Sequence, residues 1–289
     1  MNSYSPDKPL VSVIVASYNH ANFIEACIKS ICQQTYKNIE LVVIDDGSSD
    51  ASDELIRQLS LQYGFYYERQ KNQGLCNTLN KGLSLIKGDY VCCFASDDVM
   101  MLDRIEKQVQ VMENNPEAGA CSGNMIAINE QGEVLLKQKM REKRVLTFDD
   151  IFLGKVRGAP APTVMIRKAA LDEVGGYDPD IRIEDLYMWL KITQAGYTIV
   201  HSTDLYSYYR QHSTNTHSNI RLMFENELKI IEDYRSHPAF NDVVKSLVAR
   251  SFVKASSCDK KLAKELLLRF PVAQYPMKLI KGLGRMIYS

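Results

Sequence analysis

Three polar clusters in this sequence follow directly on short apolar runs. Ser17-Tyr18-Asn19 follows Val11 to Ala16, Asp45-Asp46-Gly47-Ser48-Ser49-Asp50 follows Leu41 to Ile44, and Ser96-Asp97-Asp98 follows Tyr90 to Ala95. As neighbouring parallel strands, those runs bring all three clusters to the carboxyl edge of one sheet, where open α/β sheets bind their ligands. Carboxylates gathered there repel one another unless a cation or ligand donors compensate. Hard oxygen ligands suit Mg2+ or Mn2+, and a site with few protein carboxylates leaves coordination positions for phosphate oxygens. The chemistry indicated is the holding of a nucleotide diphosphate. For Ser48, Ser49 and Asp50 a helix-capping turn is the simpler reading, whereas Asp46, Asp97 and Asp98 lie at the ends of buried strands. A second acidic pair, Glu184-Asp185, opens a stripe of Leu186, Trp189, Leu190 and Thr193 at helical spacing. Acidic residues in a first turn stabilise a helix by roughly 0.3–1 kcal/mol through its dipole. The other reading is a general base that takes a proton from an attacking hydroxyl. Spacing leaves both open.

Other phosphate-binding devices are missing. No G-x-x-x-x-G-K-[ST] occurs, no G-x-G-x-x-G follows the first apolar run, and Gly282-Leu283-Gly284 is late and isolated. The spacing D-x-D-x-D-G with a later Glu, which an EF-hand requires, is also absent. A metal must therefore hold the pyrophosphate.

The elements that position these clusters are legible from periodicity. Apolar runs at Val11 to Ala16, Leu41 to Ile44, Phe65 to Tyr67 and Tyr90 to Ala95 are apolar on both faces, as strands covered by helices on each side must be. Between them lie a stripe of Phe23, Ile24, Cys27, Ile28 and Ile31, a second with Leu55, Ile56 and Leu59, and a third helix from Leu75 to Ile86. The alternation predicts an α/β fold with a Rossmann-like, mostly parallel central sheet flanked by helices. After Asp98 it loosens: a helix from about Leu102 to Glu113, a stretch from Ala118 to Leu136 with a hairpin turn at Gly132, and a strand over Thr163 to Ile166. A break at Gly175-Gly176, a helix from Glu184 to Gln194 and a strand near Thr198 to His201 follow. From Arg221 onward the pattern is helical.

Taken together, VSVIVASYN (Val11 to Asn19), SICQQTYKNIELVVIDDGSSD (Ser30 to Asp50), FASDD (Phe94 to Asp98), GGYDP (Gly175 to Pro179) and IEDLYMWLK (Ile183 to Lys191) resemble glycosyltransferase family 2 over roughly residues 10 to 215. The resemblance implies a GT-A fold with a helical C-terminal extension, a nucleotide-sugar donor, Mn2+ or Mg2+, and inversion at the anomeric carbon in a single displacement. It implies a nucleotide-binding half over 1–100, an acceptor and catalytic-base half over 101–215, and a helical region over 216–289. Carried over to this sequence, Ala16 and Tyr18 lie at the donor, Asp46 accepts from the base, and Asn80 belongs to the same site. Asp97 and Asp98 hold ribose and metal, with Asp98 the direct ligand, and Asp185 is the catalytic base. Glu184 neighbours the acceptor, and Trp189 packs beside the acceptor sugar. Arg210 and His212 close over the diphosphate, His212 as a neutral donor or metal ligand. His20 is left to structure or surface. The chain departs from many members at Ala95, where an Asp is common, and at Leu79, where an Arg is common.

Charge and cysteine content bound the remaining classes. Thirty-five basic residues balance thirty-five acidic ones, so no global field gathers nucleic acid. Seven scattered cysteines form no C-x-x-C pair and read as reduced core residues. No basic start precedes an apolar stretch and no run approaches the roughly 20 apolar residues of a membrane span, so the expectation is a cytoplasmic chain. Residues 259–289 carry seven basic against two acidic residues, interleaved with apolar ones. That pattern reads as an anchor on the inner face of the membrane, or as a terminal helix packed on the domain or on a second copy in a homodimer. The expected function is transfer from a UDP-sugar to a glycan acceptor, lipid-linked, in bacterial surface polysaccharide (O-antigen, capsule or similar) assembly. The alternatives are a sugar nucleotidyltransferase and a catalytically silent binding subunit.

Overall fold

A computed structural model describes residues 8–135, 139–156, 158–212 and 219–269. The first half repeats strand and helix: β1 (Val11–Ser17), α1 (Ile24–Cys32), β2 (Ile39–Asp45), α2 (Ser52–Tyr63), β3 (Tyr66–Arg69), α3 (Leu75–Leu85) and β4 (Tyr90–Ala95). Val11, Val13 and Val15 of β1 face the helices α1 and α2, while Ile14 faces α3, so the strand buries both faces. The second half comprises β5 (Val99–Met100), α4 (Arg104–Glu113), β6 (Ala118–Ile128), β7 (Arg144–Leu146), α5 (Phe148–Phe152) and β8 (Met165–Arg167). It continues with α6 (Lys168–Val174), α7 (Glu184–Gln194), β9 (Thr198–Arg210), α8 (Ile220–Glu232), α9 (Phe240–Ala255) and α10 (Lys260–Leu268).

The strands order as β3-β2-β1-β4-β8-β6-β9-β5, with β7 on β9. β1, β2, β3 and β4 pair in parallel, β8 runs against its neighbours β4 and β6, and β6 pairs in parallel with β9. Six strands therefore share one direction, and β5, β7 and β8 oppose it. The carboxyl ends of β1, β2, β4 and β9 meet at one edge: Ala16 pairs with Ile44 and with Ala95, and Arg210 closes β9.

Two sequence expectations change here. The strand expected near Thr198 to His201 runs on to Arg210. Its second half, with Asp204, Ser207 and Tyr208, lacks an apolar run, and pairing with β5 and β6 holds it instead. As far as it is described, the C-terminal segment takes the second of its two expected forms, a helix packed on the domain. Leu262, Ala263 and Leu266 of α10 are buried with Leu247, Phe252 and Ala255 of α9, so its apolar face is used inside the protein. Residues 270–289 of the expected anchor lie outside the described residues. All seven cysteines are free thiols, and Cys258 is exposed rather than in the core. Among the described residues, no helix is long and apolar enough to cross a membrane.

Candidate active site

The nucleotide half of the cleft is shaped by the turn after β2. Asp45 is buried and its Oδ1 accepts from the backbone N–H groups of Gly47 (3.0 Å) and Ser48 (2.8 Å), which bends the chain sharply. Gly47 has φ +80°, and a Cβ there would sit 2.8 Å from the Asn72 nitrogen; only glycine fits. Ser48, Asp50 and Ser52 then tie this turn to the loop after β1 through the N–H groups of Asn19, Ala21 and His20, whereas the cap residue of α2 is Ala51 without a side-chain cap, so the turn joins loops rather than capping the helix as expected. Asp46 is nearly buried and accepts three hydrogen bonds of 2.8 Å, from Gln70 Nε2 and from the N–H groups of Gln73 and Gly74 at the start of α3. It anchors the wall of the cleft. Tyr18 stands 49% exposed at the rim, an aromatic face open to a planar ligand. Ala16 and its partner Ala95 provide a floor of small side chains.

At the ends of β4 and β9 the acidic pair divides its work. Asp98 is fully buried; Oδ1 accepts from the Arg210 backbone N–H at 2.8 Å, and Oδ2 has no hydrogen-bond partner. Burial, then the neighbouring Asp97, hold its pKa well above the usual carboxylate range. Asp97 Oδ2 lies 2.8 Å from His212 Nε2. His20 completes this group: ligand atoms of His20, Asp97 and His212 all lie within 4.8 Å of one another. His20 Nδ1 is 2.7 Å from Ser96 Oγ, and burial lowers the imidazole's pKa despite Asp97. His212 stacks on Phe23, ring centroids 5.4 Å apart. Arg210 corrects an expectation. Its guanidinium is buried over Phe23 and donates to the carbonyls of Asp97, Asn129 and Glu130 at 2.8–3.0 Å. In this arrangement it braces the site from within the fold.

The opposite wall carries Glu184 and Asp185 at the start of α7. Asp185 Oδ1 accepts from the Leu186 N–H at 2.7 Å. Burial raises the pKa of both carboxylates, and Asp185 adds to the rise at Glu184. Burial and the charges of Asp98, Asp97 and Asp185 push the Tyr209 phenol up to about 12, so both acidic groups act on Tyr209. Asn80, expected at the donor, has its amide on the backbone of Tyr177: Nδ2 to the carbonyl at 2.7 Å, and the Tyr177 N–H to Oδ1 at 2.9 Å. Gly176, at φ +77°, lets that turn close on α3. Trp189 is also corrected. It is 6% exposed in the core, with its ring against Gly158, and offers no open face to a sugar.

Residues 12–175 match the sequence model of the family described as Glycosyl transferase family 2. The chain belongs to glycosyltransferase family 2. Within the family, it is 30% identical over 219 residues to the Bacillus subtilis protein named for teichuronic acid biosynthesis, glycosyltransferase TuaG, covering 73% of this chain and 83% of that one. It is 28% identical over 194 residues to the poly-β-1,6-N-acetyl-D-glucosamine synthase of Staphylococcus aureus, covering 65% of this chain but 47% of the synthase. The fold is that of S. aureus TarS 1–349, solved in complex with UDP-GlcNAc (TM-score 0.67, 18% identity, 96% of this chain and 80% of that one). It is also that of the mannosyltransferase PcManGT of Pyrobaculum calidifontis, solved with GDP-Man and Mn2+ (TM-score 0.61, 17% identity, 99% and 90%).

For a family 2 chain, the donor set at the end of β4 fits a divalent cation. The 2.8 Å between Asp97 Oδ2 and His212 Nε2 is close to the roughly 3.0 Å that separates adjacent ligands of an octahedral ion with bonds of about 2.1 Å. Two imidazoles beside one carboxylate are donors that a divalent cation accepts. The sequence reading missed His20 because a lone histidine in a loop carries no spacing signal. Its only cue is its place directly after Ser17-Tyr18-Asn19.

Proposed function

We propose that this chain transfers a glycosyl group from a nucleotide-diphosphate sugar, a UDP-sugar, to a hydroxyl of a glycan acceptor in bacterial surface polysaccharide synthesis, inverting the anomeric centre. The observation that carries the reading is the raised proton affinity of half-buried Asp185, whose charge reaches the Tyr209 phenol as do those of Asp97 and Asp98 beside the His20, Asp97 and His212 cluster. Tyr18 supplies a stacking face for the base, and Asp46 holds the wall beside it. Asp185 takes the proton from the acceptor hydroxyl as its oxygen attacks the anomeric carbon from the face opposite the diphosphate. A carboxylate displaced from water holds that proton more tightly than a solvated one, so it is the stronger base. Glu184, whose proton affinity is raised by burial and by Asp185, adjoins it. His20, Asp97 and His212 would hold the divalent ion, which when bound neutralises the departing diphosphate. The UDP-GlcNAc bound by TarS and the Mn2+ bound with GDP-Man by PcManGT support the donor class and the metal. The surface-polymer context rests on TuaG and the poly-N-acetylglucosamine synthase. Membrane attachment, toward a lipid-linked acceptor, is assigned to residues 270–289.

Thermal shift with UDP, TDP and GDP, each with and without Mn2+, tests the donor site, because selective binding to the native state raises the melting temperature. A metal-dependent rise with UDP is expected. No rise with any nucleotide under either condition overturns the reading and favours a silent binding subunit.

A further inference from the structure

Away from the donor cleft, the segment before β7 reads Lys139-Met140-Arg141-Glu142-Lys143-Arg144, four cations to one anion on a chain that is neutral overall. Lys139, Met140, Arg141, Glu142 and Arg144 line an open surface cavity of about 510 Å3. Among the described residues, no carboxylate forms an ion pair with Lys139, Lys143 or Arg144. Positive charges crowded without neutralisation are costly, and a loop that only needed solubility would scatter them. The segment is also built rather than loose. Asn124 of β6 accepts from the Arg141 N–H at 2.7 Å and donates to the Arg141 carbonyl at 3.0 Å. Arg141 Nη1 donates to the Gly158 carbonyl at 2.7 Å. His201, opposite Arg144 across β7 and β9, has its pKa lowered to about 4 by burial and then by Arg141 and Arg144, a local sign of the positive field.

The position ties the cavity to the transfer site. β7 runs antiparallel to β9, with Arg144 opposite His201; stepping back from Arg144 to Lys139 therefore moves toward the carboxyl end of β9, where Arg210 and His212 stand. Gly158, which Arg141 grips, lies against the ring of Trp189, and Trp189 is one turn along α7 from Asp185. Contacts run without a gap from the basic segment to the helix that carries the base. We propose that this cavity binds an anionic group of the acceptor, so that the acceptor is an acidic glycan carrying carboxylates or phosphodiesters. The inference rests on the transfer reading above for its purpose, though not for its binding chemistry. Guanidinium and ammonium groups on a fixed loop pair with either anion through charge-assisted hydrogen bonds.

Trp189 is the only tryptophan of the chain, so its fluorescence reports on this region. The full chain is titrated with an oligogalacturonate, an oligomer of glycerol phosphate and a neutral cello-oligosaccharide, at low and high salt. Saturable binding of either anionic probe that weakens with salt, with none for the neutral one, supports the inference, and the tighter anion names the charged group. Lys139→Gln with Arg144→Gln should weaken that binding about tenfold. Glu142→Gln, which removes the single anion, should tighten it. Equal binding of neutral and anionic probes, or anionic binding unchanged in both variants, overturns it. The UDP and Mn2+ thermal shift is measured on the same samples. A retained shift without anion binding sinks the cavity alone, whereas anion binding without any nucleotide shift sinks the transfer reading and leaves the cavity standing.

Discussion

Asp185 is proposed as the group that takes the acceptor's proton, and its half-buried carboxylate has a raised pKa. Asp185→Asn should lower transfer by about 10²–10⁴-fold, the usual share of a general base, while the UDP and Mn2+ thermal shift persists; turnover within a few-fold of the parent would discard Asp185 as base. The base works unprotonated, so activity rises with pH. Because burial raises the pKa, the acidic limb of kcat/KM should lie above the ordinary aspartate value of about 3.9. A limb at that ordinary value contradicts the assignment. Asp98 makes the opposite bargain with its surroundings, since Oδ2 is buried without a donor and Asp97 adjoins it. A carboxylate whose pKa is raised in the fold loses stability as pH climbs from the unfolded value through the folded one. Asp98→Asn keeps an oxygen for the Arg210 N–H and removes the charge. Metal-free Asp98→Asn should therefore melt several degrees above the parent at pH 8, with the gap closing near pH 4, and an equal gap at both pH values would refute this. At this scale the sequence revealed the carboxylates, because strand ends and turn residues are local signals. It did not reveal His20, Tyr209 or the burial of Arg210, which depend on strands brought together from residues 11, 90 and 198 onward.

Hydrogen bonds between elements fix the segment that carries Asp185. Asn80 on α3 clamps both sides of the Tyr177 peptide, and Asn226 on α8 accepts from the Arg182 N–H at 2.7 Å. The segment leading into α7 is thus pinned from both the nucleotide half and the helical extension. Asn80→Ala removes two hydrogen bonds and leaves buried backbone groups unpaired, a cost of about 1–3 kcal/mol each. It should lower kcat through misplacement of Asp185, while the UDP thermal shift relative to the ligand-free variant is retained. If kcat is unchanged, or if UDP binding falls in parallel, Asn80 acts otherwise than as a positioning residue. The parallel strands and crossover helices were legible because apolar runs and stripes recur at fixed periods. Short edge strands were not: β5 is two residues and β7 three, and their conformation comes from pairing with β9 rather than from their own composition.

At the scale of the whole molecule, the C-terminal helices complete the core on the α3 and α7 side of the sheet, and this limits what the tail can do. The inward apolar residues of α10 are spent, although Leu268 at its end stays exposed: Leu262 and Leu266 are 2% and 1% exposed, and Leu266→Ala should cost about 2–5 kcal/mol of stability. The lipid contact proposed above is then expected of residues 270–289, where Lys278, Lys281 and Arg285 are interleaved with Leu279, Ile280, Leu283, Met286 and Ile287 and no acidic residue occurs. Each cation near an anionic bilayer contributes about 1 kcal/mol. Three of them shift partitioning by roughly two orders of magnitude before any apolar insertion is counted. The full chain should sediment with phosphatidylglycerol vesicles, much less with phosphatidylcholine, and progressively less as salt rises. A chain ending at Arg269 should stay in solution with either lipid while keeping its nucleotide shift, since none of the residues at the cleft lies in the removed segment. Sedimentation of that shortened chain equal to the parent's would move the membrane contact to another face of the protein.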